Sequence, residues 1–310
     1  MDLLRTPDDR FDHVRALPGF DLEPRYATVP RGEGGDGGEL RMAYVEAGPA
    51  DGPVVLLLHG EPSWSVLYRD VITVLAGAGL RAVAPDLVGF GRSDKPAAVG
   101  DHSYARHVEW VRALCFDVLD LHEVTVVGQD WGGLIGLRLA AEHPDRFAGI
   151  VAANTGLPTG DVAMPEIWWQ FRTAMESAPT LDIGRFVAAG CAAPMSDEVR
   201  EAYDAPFPDE SYKAGPRAMP GLVPTTPDDP ASAANRAAWQ TLTAGPTPFL
   251  VAFSDGDPIT GGMAPILRAA MAGAQGLEHP VVEGAGHFLQ EDAGTRLGEV
   301  VRDFVVAHRA

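Results

Sequence analysis

Residues 124–140 read VTVVGQDWGGLIGLRLA, and at their centre Asp130 stands where a strand-to-helix elbow of the G-x-S-x-G kind would carry a nucleophilic serine. Gly128, Gly132, Gly133 and Gly136 crowd around it, as a sharp turn requires. Read alone, Asp130 could instead be the N-cap of the helix that follows. A carboxylate at the tip of such a turn has a specific use. It is anionic at pH 7 without help from a base. It can displace a leaving group at an sp³ carbon and form an ester with the enzyme. Hydrolysing that ester then calls for a general base and an oxyanion hole.

The base is sought among nine histidines. His287, in EGAGHFLQE (283–291), follows a strand signal and opens the last helix, so it is the candidate; His59 is the other histidine near a strand end. The acid that orients the base should follow the preceding strand, giving the chain order nucleophile, acid, histidine. The stretch FLVAFSDGDPIT (249–260) offers Asp257, four residues past the strand, with Asp255 as the alternative. In LHGEPSWS (58–65) the backbone N–H of Glu61 is a candidate oxyanion donor, and the Trp131 N–H is the second. The Glu61 side chain itself reads as a surface carboxylate with no necessary role. The indole of Trp131 donates and cannot accept, so beside a nucleophilic carboxylate it suits an expelled anion. Trp168 and Trp169, in EIWWQ, offer a further indole donor or ordinary packing.

The elements that must hold these residues are legible in outline. Strands are expected over 40–45, 54–58, 81–85, 124–127, 147–153, 248–253 and 280–282. The run VVLLL at 54–58 suits a strand buried on both faces. Ser103 is a plausible N-cap for a helix ending near Leu121. A helix over 131–142 is stopped by His143-Pro144, and a closing helix runs over 288–307. Residues 31–39 (RGEGGDGGE) read as a glycine-rich turn. Strands alternating with helices imply an α/β fold with a mostly parallel sheet and helices on both faces. The alternation fails between about residues 155 and 230, which reads as a helical cap over the C-terminal strand edge, where ligands bind in open α/β sheets. The expected division is a core of 1–155 and 231–310 with a cap of 156–230.

Composition removes several function classes. The formal net charge of −19 argues against nucleic acid and anionic membranes as partners, which need basic patches. No run approaches the roughly 18 apolar residues of a membrane span. The first twenty residues have no apolar h-region, so the expected location is cytoplasmic. Two cysteines, Cys115 and Cys191, are no disulfide framework; Cys115 reads as a small buried apolar residue.

The segments LHGEPSWSVLYR (58–69), PDLVGFGRSDKP (85–96), VVGQDWGG (126–133) and GAGHFLQE (284–291) together resemble the haloalkane dehalogenases of the α/β-hydrolase superfamily. APFPDESYKAGPRAMP (205–220) is similar to the cap of members acting on short haloalkanes. The resemblance covers nearly the whole chain, although the stretch between Ile167 and Pro194 matches weakly and the acid loop is a residue longer. It implies Asp130 as nucleophile, His287 as base, Asp257 as orienting acid, and halide binding by Trp131 and a cap tryptophan. Spacing to Gln170 and Phe171 puts that cap donor at Trp169 in preference to Trp168. The implied reaction uses a small halogenated aliphatic substrate and water, releases halide, and needs no cofactor or metal; a monomer is expected. The rival enzyme is an epoxide hydrolase on the same Asp–His–Asp set, with Tyr203 and Tyr212 as the acids its alkoxide would need. Haloacid chemistry lacks an arginine beside Asp130. A non-catalytic binding protein would not need the intact Asp130, His287 and acid loop.

Overall fold

A computed structural model describes residues 1–32 and 37–308, so residues 33–36 of the glycine-rich turn lie outside the described residues. The elements in chain order are β1 (Leu3–Leu4), β2 (Arg25–Pro30), β3 (Glu39–Ala47), β4 (Val54–Leu58), α1 (Arg69–Gly77), β5 (Arg81–Pro85), β6 (Lys95–Pro96), α2 (Tyr104–Arg112), β7 (Val124–Gln129), α3 (Trp131–Glu142) and β8 (Phe147–Ala153). Five helices follow without a strand: α4 (Glu166–Ser177), α5 (Ile183–Ala189), α6 (Asp197–Asp204), α7 (Ala214–Leu222) and α8 (Ser232–Ala244). The chain then returns to the sheet as β9 (Phe249–Val251) and ends with α9 (Met263–Ala270) and α10 (Leu289–Ala307).

Seven strands form one sheet in the order β2-β3-β5-β4-β7-β8-β9. The β2–β3 and β3–β5 pairs are antiparallel, and the rest are parallel. This is the mostly parallel sheet that the element pattern implied, and it fits the α/β-hydrolase fold that the resemblance implied. The apolar runs explain the centre: β4 has no polar residue to give to water, and β7 is buried at every residue. Helix α1 packs on α10, while α3 packs with α2 and α8, giving two separate helix layers. In α3, Leu134, Ile135, Leu137 and Leu139 are at most 6% exposed, each worth about 1.5–3 kcal/mol of burial. The helix lies so near β4 that a Cβ on Gly132 would stand 1.9 Å from the Leu58 carbonyl oxygen.

Three expectations need correction. Residues 280–282 form only a bridge between Val282 and Ser254, because Pro280 has no N–H to give a ladder. The helix capped by Ser103, whose Oγ accepts the Arg106 N–H at 3.2 Å, is α-helical only to Arg112 and continues as a π-helical segment, Ala113–Val118. The closing helix is broken at Ala293, which has φ −147° and ψ 41°. The sequence reading also passed over β2, whose alternation of exposed and buried residues and terminal proline fit an edge strand. No helix among the described residues is long and apolar enough to cross a membrane.

Candidate active site

Asp130 occupies a strained turn between β7 and α3, with φ 51° and ψ −126°. Such a conformation costs roughly 1–3 kcal/mol and persists only where its surroundings enforce it. Its N–H donates to the Asn154 carbonyl at 3.0 Å, and its own carbonyl accepts from Thr155 Oγ1 at 2.7 Å. Its side chain makes no capping hydrogen bond to α3, so the N-cap explanation fails. The carboxylate turns the other way. Oδ1 accepts the Glu61 N–H at 2.8 Å, and Oδ2 lies 3.6 Å from His287 Nε2.

The second ring nitrogen of His287, Nδ1, lies 3.1 Å from Asp257 Oδ1. Asp257 is fully shielded and also accepts the Ile259 N–H at 2.9 Å, the Thr260 N–H at 3.2 Å and the Thr260 hydroxyl. Burial works against its charge, but the hydrogen bond and positive field of His287 hold its carboxyl below the usual carboxylate range. Asp255 faces elsewhere: its Oδ1 accepts the Gly284 N–H at 2.8 Å. The two aspartates of this loop are therefore separated by geometry, and Asp257 is the one on the imidazole. Burial also disfavours a charged His287, but Asp130 and Asp257 outweigh it and raise its pKa to about 10. His59 is a structural residue by its bonds, with Nδ1 2.9 Å from the Gly60 carbonyl and Nε2 accepting the Leu87 N–H at 2.9 Å.

Two residues that the sequence reading did not single out lock this constellation. The buried amide of Gln129 reaches His287 Nε2 at 3.1 Å and the His287 carbonyl at 3.2 Å. Asn154, buried at the end of β8, donates toward the Gly286 and His287 carbonyls at 2.9 and 3.0 Å. The available signal was a polar residue ending an apolar buried strand, in VTVVGQ and again in FAGIVAAN.

These groups open onto a cavity of about 890 Å³, lined among others by Asp130, Trp131, Trp168, Phe171, Phe288 and His287. Trp131 is 2% exposed and is held edge-on by Tyr104 at 4.9 Å between ring centroids. The placement of the cap indole needs correction. Trp168 is buried and lines the cavity, whereas Trp169 is 40% exposed and does not. The two rings pack edge to face, 4.8 Å between centroids, with Trp168 on the cavity side and Trp169 on the solvent side. Glu61 is also corrected: its side chain is buried at the cavity wall, and its Oε1 has no hydrogen-bond partner. Burial, reinforced by Asp130, pushes its carboxyl well above the usual range.

Neither tyrosine that an epoxide would need lines the cavity. Tyr203 is buried, donates to Glu291 and is absent from the cavity wall, as is Tyr212.

A family model described as the alpha/beta hydrolase fold matches residues 53–294. A haloalkane dehalogenase from Psychrobacter cryohalolentis is 48% identical over 305 residues, covering 98% of either chain. One from Mycobacterium marinum is 50% identical over 299 residues, covering 96% of this chain and 98% of its own. Among solved structures, the tetrameric haloalkane dehalogenase DpaA from Paraglaciecola agarilytica NO2 superposes with a TM-score of 0.87 at 35% identity, covering 97% of each chain. The expectation of a monomer does not fit that tetrameric relative.

Proposed function

From the premise that this chain belongs to the haloalkane dehalogenases of the α/β-hydrolase fold, we propose a two-step reaction with a covalent intermediate on Asp130. The enzyme hydrolyses haloalkanes to alcohol and halide. In the first step Asp130 attacks the halogen-bearing carbon in line; a C–O bond forms, the carbon–halogen bond breaks, and the halide leaves with the electron pair. A halide is a weak base and takes no proton. The indoles of Trp131 and Trp168 are its proposed binding partners. In the second step His287 takes a proton from water, and the resulting hydroxide attacks the ester carbonyl carbon. The tetrahedral intermediate collapses, the alkoxide leaves as alcohol with the proton from His287, and Asp130 releases the remaining proton to return to its carboxylate. Asp257 holds the imidazole tautomer and balances its charge. The amides of Glu61 and Trp131 serve the oxyanion, each worth roughly 3 kcal/mol in comparable sites.

The observation that carries this reading is the Asp130 carboxylate, bonded at 2.8 Å to the Glu61 amide and 3.6 Å from an Asp257-backed His287 at the cavity wall. Residues 156–230 are proposed as a cap domain over that cavity, and 1–155 with 231–310 as the core. A cytoplasmic location belongs to the same reading and is supported by two free cysteines, Cys115 and Cys191. The cavity of about 890 Å³ falls within the roughly 300–1,000 Å³ of sites for drug-sized ligands. That supports substrates longer than the short haloalkanes the cap sequence suggests.

The test is halide release from 1-bromobutane and 1-bromohexane by wild type and Asp130→Asn, with styrene oxide hydrolysis measured beside it. Release that vanishes in the variant, and is faster for the longer substrate at low concentration, supports the reading. Diol formation without halide release contradicts it.

A further inference from the structure

The helical insert bonds directly to the backbone of the proposed base. Helix α5 is followed by its C-cap Gly190, whose carbonyl accepts the His287 N–H at 2.7 Å. The Asp292 carboxylate accepts the Gly286 N–H at 2.8 Å, and on the insert it accepts the Ala192 and Ala193 N–H groups at 2.8 and 2.9 Å. One side chain thus ties the residue before His287 to the turn that binds His287.

The approach is close because both crossing residues lack a side chain. A Cβ on Gly286 would lie 2.4 Å from the Gly190 carbonyl oxygen, and a Cβ on Gly190 would lie 2.7 Å from the Phe288 ring. The break at Ala293 sets the first turn of α10, with Glu291 and Asp292, apart from the rest of the helix. Glu291 uses that freedom too, pairing with Arg69 of the core and Tyr203 of α6.

We propose that Asp292 is a positioning residue for ester hydrolysis, holding His287 by clamping the 190–193 turn of the insert to the Gly286 amide. The inference rests on the reading of Asp130 as nucleophile and His287 as base. In-line attack by Asp130 uses no base, so a shifted His287 leaves halide displacement alone. Water activation depends on the ring's position, and a misplacement of about 1 Å can cost on the order of 10²-fold. The clamp therefore acts on the second step.

The test compares wild type, Asp292→Ala, Asp292→Asn and the Asp130→Asn control with 1-bromobutane. Rapid-quench halide release reads the first step, and intact-protein mass reads the alkyl-enzyme. Thermal melting shows that each variant is folded. The expected result for Asp292→Ala is a first step within about 2-fold of wild type, ester hydrolysis slowed by roughly 10-fold or more, and an accumulating alkyl-enzyme. Asp292→Asn, which keeps one acceptor oxygen, falls between the two and decides the matter alone if the alanine variant does not fold. Equal slowing of both steps, or unchanged hydrolysis, overturns the proposal. If Asp130→Asn is then inactive, the nucleophile reading survives that failure; halide release by Asp130→Asn overturns both.

Discussion

Oδ2 of Asp130 stands 3.6 Å from Nε2 of His287, too far for a hydrogen bond and close enough for the Asp130 charge to act on the imidazole. With Asp257 on the far nitrogen, the imidazole lies between two carboxylates, which raise its pKa to about 10. Alkylation turns Asp130 into a neutral ester. One of the two raising charges disappears, and the ring loses its proton more readily at the moment a neutral base is needed. The Gln129 amide, within reach of Nε2, favours the same neutral form.

This relationship fixes a pH dependence. The folded-state pKa of His287, about 10, lies above the ordinary 6.5. The stabilisation it brings is therefore complete below about pH 6.5 and is lost as pH rises through 10. The melting temperature of the free enzyme should fall between pH 7 and 10, and His287→Gln should flatten that part of the curve. Identical slopes in the two proteins would mean that the Asp130–His287–Asp257 charge set adds nothing to the fold.

The acid loop gives a sharper contrast. Asp257 touches the imidazole and Asp255 does not. Asp257→Asn should lower turnover on the order of 10³–10⁴-fold, the scale of orienting acids elsewhere, and alkyl-enzyme should accumulate. Asp255→Asn should stay within a few-fold of wild type in steady-state halide release. The reverse ranking would remove Asp257 from the scheme.

The paired tryptophans separate in the same way. A hydrogen bond to a charged group contributes about 1.5–3 kcal/mol, so Trp168→Phe should weaken halide binding roughly 10- to 100-fold. Trp169→Phe should change it less than about 2-fold, since that indole is 40% exposed and off the cavity wall. Halide titration followed by tryptophan fluorescence reads both. A larger loss from Trp169→Phe would return the cap donor to its sequence-based assignment.

Legibility followed local chemistry. The core strands Val54–Leu58, Arg81–Pro85 and Phe147–Ala153, with helix Trp131–Glu142, match their expected limits because short apolar runs define the strands and His143-Pro144 stops the helix. The elbow and the acid loop were visible because each follows a strand end, and His287 because it stands in a glycine-bearing turn just before the last helix. Trp169 was misplaced because the insert has no strand to set its phase: one residue on a helix turns the side chain about a quarter-turn around the axis. Glu61 was read as a surface group because its burial comes from long-range packing that the local HGEP turn does not encode. Asn154 and Asp292 act through backbone groups distant in sequence, and residue type alone carries no sign of that.

The central claim is a covalent ester on Asp130, and single turnover in ¹⁸O-water with enzyme in excess tests it most directly. The account predicts alcohol carrying ¹⁶O, taken from the Asp130 carboxylate, and ¹⁸O in the peptide that contains Asp130. Alcohol carrying ¹⁸O from that first turnover, with an unlabelled Asp130 peptide, would mean that water attacks the substrate directly and would contradict it.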